Sequence, residues 1–139
     1  MSKPRTEEPL ARGEYIQSRL AQWPCKISQI SSHAPFLDGA DLLLAADCAA
    51  YAYARLHTEF MKGRITLVGC PREGGAAYED KLAEILSKNS VSTLTVIKMD
   101  TPCCKSFDLS VRRAIAESGK ELPIKTVTLS TDGKIIKTS

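Results

Sequence analysis

The stretch DLLLAADCAAYAYARLHTEFMKGRITLVGC, residues 41–70, contains a complete strand–helix–strand pattern. Residues 41–47 are a nearly continuous apolar run, which is typical of a strand that is buried on both faces. Residues 48–63 place alanine and aromatic side chains on one helical face and end at a glycine, so we predict a helix there. Residues 64–70 form a second apolar strand. Two such strands joined by a helix predict a parallel pair with a right-handed crossover.

The same alternation continues toward the C-terminus. Further helices are predicted at 76–88 and 107–119, and further strands at 90–99 and 124–130. A TDG turn after the last strand allows a C-terminal hairpin with residues 134–138. We therefore predict an α/β fold: a three-layer sandwich around a mostly parallel, doubly wound sheet of the Rossmann or flavodoxin type.

Upstream of residue 41 the pattern is weaker. Residues 1–13 are rich in proline, glycine and charge and are predicted to be a flexible tail, which leaves 14–139 as a single α/β domain. Residues 14–23 predict a short amphipathic helix ended by a proline. Residues 25–31 alternate as a strand would, with Cys25 turned into the core.

Composition narrows the class of protein. The chain is 43% hydrophobic and 25% charged, as globular proteins are, and its net charge of +3 comes from scattered residues, which argues against nucleic-acid binding. No apolar run suits a membrane span or a signal peptide, so we expect a cytoplasmic protein without a membrane partner. In that compartment five cysteines favour metal or redox chemistry over disulfides.

Four of the cysteines follow predicted strands directly. Cys48 and Cys70 come after the first two strands, and the adjacent pair Cys103 and Cys104 lies in MDTPCCKS, residues 99–106, after the third. The carboxyl ends of parallel strands share the sheet edge at which open α/β folds bind ligands. Because neighbouring strands are about 4.8 Å apart, three strand ends fit within about 10 Å. We predict one shared metal or redox site.

Four thiolates suit either a tetrahedral zinc ion or an iron–sulfur cluster. Packing is the competing interpretation for any single cysteine, and we expect it for Cys25. His57 would lie about 13 Å along the predicted helix from Cys48, so we expect it on the helix surface and not at the site. Asp47 is expected to cap that helix, and a position near the site is the alternative. The role of His33 stays open.

Several motifs together resemble a known family. The match spans Arg19 to Gly133, and it resembles the C-terminal α/β domain of anaerobe-associated proteins known as 4Fe-4S ferredoxins. In those proteins a two-cluster ferredoxin module precedes a domain that carries AADC, GCP and PCC. The motifs here are QWP, APFLDGADLLLAADCAAYAYARLHTEFMKGRITLVGCP, YEDKLAEIL, VIKMDTPCC and SGKELPI.

Two departures from that family stand out. No C-x-x-C-x-x-C run is present, so we do not expect the ferredoxin module here, and Lys105 and Ser106 follow the cysteine pair where relatives tend to have glycine. A looser likeness exists to the small subunit of nickel–iron hydrogenases and its relative in a respiratory complex. The latter also uses tandem cysteines at an α/β edge for one [4Fe-4S] cluster.

With the resemblance included, the sequence predicts an iron–sulfur protein that works in electron transfer or redox sensing with a partner protein. The expected cofactor is one [4Fe-4S] cluster, and the expected ligands are Cys48, Cys70, Cys103 and Cys104. No acid–base pair or activated nucleophile is visible, so no catalytic activity is predicted. Two alternatives stay open: a zinc-binding structural or regulatory module, and a metal-free protein for thiol or sulfur transfer.

Overall fold

The computed structural model describes residues 16–139, and its centre is a five-stranded sheet. The strands are β1 Asp41–Ala45, β2 Ile65–Val68, β3 Thr93–Met99, β4 Ile124–Leu129 and β5 Ile135–Thr138. Their order across the sheet is β2-β1-β3-β4-β5. The first four strands are parallel, and β5 returns antiparallel to β4. This confirms the predicted mostly parallel sheet and its C-terminal hairpin. The predicted tail at 1–13 lies outside the described residues.

Among residues 16–139, four α-helices and two tighter or wider turns lie between these strands, and a third turn precedes β1. Helices α3 (Ala76–Lys88) and α4 (Lys105–Ser118) pack against each other. With this strand order, right-handed crossovers put both helices on one face of the sheet and the β1–β2 connection on the other. Within residues 16–139 no helix has the length and apolarity to cross a bilayer. The helices are α1 Ala49–Ala52, α2 Pro71–Gly74, α3 Ala76–Lys88 and α4 Lys105–Ser118; the turns are 3₁₀ at Pro35–Leu37 and Pro102–Cys104 and π-helical at His57–Met61.

The core is centred on β1. This strand lies between β2 and β3, and each of the three strands is followed by a loop with cysteine. Leu42, Leu43 and Leu44 are completely buried, and they share one core cluster with side chains of α3, α4 and the β1–β2 connection. Helix α3 buries Leu82 and Ile85 with the same periodicity that predicted it. The apolar run at 41–47 therefore reflects burial on both sides of the strand.

The predicted helix at 48–63 is wrong in its continuity. Helix α1 ends after a single turn, because Tyr53 takes an extended conformation (φ −103°, ψ 112°). The break lets the Tyr53 ring pack edge-on against Phe60, with ring centroids 5.5 Å apart, and lets its hydroxyl donate to Glu59. The apolar face is buried as predicted, but it is built from two short helical pieces instead of one helix.

Two predictions near the N-terminus are also wrong. No helix forms over 16–23, while residues 14 and 15 lie outside the described part. The Gln22 side-chain amide instead pairs with both backbone groups of Thr66, donating to its oxygen at 2.6 Å and accepting from its nitrogen at 3.4 Å, so this segment runs along the edge of β2. Residues 25–31 form a single bridge, Lys26 to Val68, and then a turn, not a strand.

Candidate functional site at the carboxyl edge of the sheet

The predicted site lies where three adjacent parallel strands end. Strand β1 is central, and its last residue, Ala45, pairs with Val68 at the end of β2 and with Ile97 near the end of β3. Because the register is level, the loops that follow these strands start at the same edge of the sheet. The cysteines in those loops are Cys70 after β2, Cys48 after β1, and Cys103 and Cys104 after β3.

Cys48 is exposed and occupies the N-cap position of α1. Its carbonyl oxygen accepts hydrogen bonds from the N–H groups of Tyr51 and Ala52, at 3.1 and 3.0 Å, while its side chain makes no capping bond. The prediction that Asp47 caps this helix is therefore wrong. The Asp47 Oδ1 atom is instead buried, and it has no hydrogen-bond partner among residues 16–139.

Cys70 is half-buried and has an extended backbone directly before α2. Pro71 follows it at the first helical position, where the missing N–H costs nothing. The Cys70 carbonyl oxygen accepts hydrogen bonds from Glu73 at 3.0 Å and Gly74 at 3.2 Å, which fixes the loop. The thiol therefore sits on a short, internally hydrogen-bonded turn at the end of a buried strand.

The adjacent pair lies in the 3₁₀ turn between β3 and α4, and its two members have opposite environments. Cys103 is exposed, and Thr101 Oγ1 lies 3.2 Å from its Sγ. That hydrogen bond lowers the pKa of the Cys103 thiol, with smaller help from the positive charge of Arg72. Cys104 is only 4% exposed, and burial raises the pKa of its thiol.

Electrostatic contacts connect three of the four thiols. Besides burial, the neighbouring Cys103 and Cys70 also raise the pKa of Cys104, since a second negative charge nearby disfavours ionisation. No group of three or more His, Cys, Asp or Glu side chains in residues 16–139 is arranged to hold a metal ion. The thiols thus fit a metal centre by donor type and by their common edge, without forming a closed cage for one ion.

Cys25 does not lie on a core strand, contrary to the prediction. It is half-buried, and its carbonyl oxygen accepts a hydrogen bond of 2.8 Å from the Val68 N–H at the end of β2. His57 is half-buried in the π-helical turn, and its Nδ1 accepts a hydrogen bond from the Arg19 N–H at 3.1 Å. His33 is exposed in a loop. The expected distance of His57 along a continuous helix has no basis, since that helix is broken.

Sequence reasoning missed a cavity of about 400 Å³ beside Cys70. It lies between the turn at 26–28, the end of β2 and the first part of α3, and Tyr78 and Asp47 are among its lining residues. The Tyr78 hydroxyl has no hydrogen-bond partner among the described residues, and burial raises its pKa. Leaving a hydroxyl buried and unpaired costs about 1–3 kcal/mol. The sequence places Tyr78 on a predicted helix but does not show what surrounds its hydroxyl, so the missing partner could not be predicted.

Comparison with known proteins adds a family and a distant relative. A family model described as "Rossmann-like domain" matches residues 34–139. An uncharacterized protein of Archaeoglobus fulgidus is 29% identical over 114 residues, which cover 82% of this chain and 81% of the relative. No solved structure matches. Neither of the two descriptions includes a cofactor or an activity.

Proposed function

The chain belongs to the Rossmann-like domain family, and from that premise we propose that it binds one iron–sulfur cluster and works in electron transfer or redox sensing with a partner protein. One observation carries the proposal: three adjacent parallel strands each continue into a loop that bears cysteine at the same sheet edge. The expected cluster is [4Fe-4S]. The ligands would be Cys48, Cys70, Cys103 and Cys104.

The arrangement of the thiols supports a cluster over a single zinc ion. A tetrahedral zinc with Zn–S bonds of about 2.3 Å needs its sulfurs about 3.8 Å apart. In a four-iron cluster each cysteine binds a different iron, so the thiols surround a wider object. The four cysteines follow three separate strand ends, and Cys48 and Cys103 are exposed, which favours the wider object. The adjacent pair suits it too, since neighbouring thiols can reach different irons without the strain of a disulfide.

The residues of this chain would tune and expose the centre. A bound cluster supplies one-electron chemistry. Thr101 places a hydroxyl beside the Cys103 sulfur, and hydrogen bonds to ligand sulfurs are one of the means by which proteins set a potential. Cys48 and Cys103 are exposed, which gives a partner protein access to this edge. Cys104, which is buried, joins the site to the core behind it.

The decisive experiment is anaerobic reconstitution with iron and sulfide, followed by metal analysis and visible absorbance. We expect about four irons per chain for [4Fe-4S] and a brown protein. Cys103→Ser and Cys104→Ser should each lower the iron content sharply. Cys25→Ser is the matched control, because Cys25 is half-buried but anchored through its carbonyl at the side of β2. His57→Ala should also retain the iron.

Three outcomes would contradict the proposal. A colourless protein with one zinc per chain would identify a structural or regulatory zinc module. Full iron content after substitution of Cys103 or Cys104 would remove that cysteine from the ligand set. A metal-free protein with a reactive Cys103 would favour thiol or sulfur transfer. Thiol or sulfur transfer is the second candidate function, and it is supported by the exposure of Cys103 and the lowered pKa of its thiol.

A further inference from the structure

The cavity beside Cys70 has the dimensions of a small-molecule site. Its volume of about 400 Å³ lies within the range of ligand pockets, and it opens at the carboxyl edge of the sheet, where open α/β folds bind ligands. Gly69 forms part of its wall and allows a close approach of neighbouring side chains. A Cβ at that position would lie 2.6 Å from Ile27 Cγ2 and 3.1 Å from Tyr78 Cε2.

Two polar side chains of the cavity wall are left without partners. Tyr78 is only 3% exposed, and its hydroxyl makes no hydrogen bond within residues 16–139. Asp47 Oδ1 is buried in the same condition. Both residues line this one cavity, and neither of these two atoms is bonded to the other. Buried polar groups are nearly always paired in native proteins, which indicates that a further molecule completes this wall.

The charges around the cavity are mixed in sign. Lys26 and Lys81 line it, and in the described part of the chain neither lysine forms an ion pair. Asp47 and the exposed Glu73 contribute two carboxylates. A ligand with a single charge would satisfy one set of groups and oppose the other. A molecule with one positive and one negative group matches both.

We propose that this cavity binds a small zwitterion of the α-amino-acid class, with its ammonium group donating to Asp47 and its carboxylate accepting from Lys26 or Lys81. The Tyr78 hydroxyl would then gain a hydrogen-bond partner on the ligand. This site goes beyond the cluster proposal and does not depend on it, since only the wall residue Cys70 is shared between the two.

The test is a titration of the full chain with individual L-amino acids, followed by NMR of the backbone amides. With at least one amino acid we expect saturable chemical-shift changes around the cavity and a dissociation constant below about 10 mM. The best amino acid is then compared with two relatives that each lack one charge, namely its decarboxylated amine and its hydroxy acid. Both should bind at least about tenfold more weakly, because each leaves one set of charges unpaired.

Two adjacent alanines provide a matched pair of variants. Both are exposed at the start of α3, but Ala77 lines the cavity and Ala76 does not. Ala77→Phe should fill the opening and weaken binding about tenfold or more, whereas Ala76→Phe should bind normally. Tyr78→Phe removes only the orphaned hydroxyl and should weaken binding severalfold.

Several results would overturn this assignment. These are the absence of saturable binding by any amino acid, equal binding of the amine or the hydroxy acid, and equal binding by the Ala77→Phe and Ala76→Phe variants. Iron content is measured on the same samples after reconstitution, so that failure of the cavity site can be distinguished from failure of the cluster proposal. Amino-acid binding by iron-free chain would support the cavity site alone.

Discussion

The β2-β1-β3 region and the β4–β5 hairpin belong to one sheet but differ in burial and in chemistry. All of β1 after its first residue is buried, whereas every residue of β5 is exposed. The loops after the three buried strands carry four of the five cysteines, and the chain from residue 120 onward contains none. Reactive side chains on loops are held accurately when the elements beneath them are rigid. The thiols therefore sit where the sheet is best supported.

The hairpin is tied to the rest of the molecule at its turn. Gly133 has a positive φ of 85°, and a Cβ on it would lie 2.3 Å from the Ala52 carbonyl oxygen. Ala52 ends α1, the helix that begins directly after Cys48. The exposed hairpin and the buried centre thus meet beside one of the loops that bear cysteine.

The largest difference between the two regions should be in stability. Leu43→Ala removes a completely buried side chain from β1, so the free energy of unfolding should fall by about 2–5 kcal/mol. Ile136→Ala is the matched control in β5, where the side chain is 53% exposed, and its effect should stay within about 0.5 kcal/mol. Urea unfolding followed by circular dichroism measures both. Equal losses would mean that the hairpin contributes as much to the core as β1 does.

This contrast also explains how far the sequence could predict the molecule. Long periodic segments with one solution were predicted well: α3 occupies 76–88 as expected, and the apolar run at 41–47 contains β1. The segment at 48–63 failed because its apolar face can be buried by a broken helix as well as by a continuous one. By leaving the helix, Tyr53 gains contacts with Phe60 and Glu59, and no local sequence pattern reveals these contacts.

The candidate site shows the same limit. That the four cysteines share an edge followed from strand–helix alternation, because topology alone brings the ends of parallel strands together. The opposite environments of Cys103 and Cys104 did not follow, since they depend on how the 3₁₀ turn packs against the core. Asp47 was expected to cap α1 because the sequence shows its position before a helix. The sequence does not show that its carboxylate oxygen is buried.

A second prediction concerns the contact between the hairpin and α1. Gly133→Ala should lower the free energy of unfolding by about 2 kcal/mol or more, because it combines an unfavourable positive φ with a clash against backbone. Gly39→Ala is the control, since Gly39 also has a positive φ, 77°, but nothing lies within 4 Å of its added Cβ. It should cost only about 1 kcal/mol. Equal losses in thermal or urea unfolding would show that the hairpin turn can move away from α1 freely.

The smallest expected effect separates the adjacent cysteines themselves. In the reduced, metal-free protein, iodoacetamide should label Cys103 and largely spare Cys104, because the first is exposed and the second is buried with a raised pKa.

Thr101→Val removes the hydroxyl that lowers the pKa of Cys103. Since the thiolate is the reactive form, labelling near neutral pH should slow a few-fold. At a pH above the Cys103 pKa of both the wild type and the variant, the two labelling rates should converge, because Cys103 is then ionised with or without the hydroxyl. Thr138→Val in the exposed hairpin is the control, and tandem mass spectrometry assigns the label to one cysteine. Identical pH profiles for wild type and Thr101→Val would mean that the Thr101 hydroxyl does not act on the Cys103 sulfur in solution.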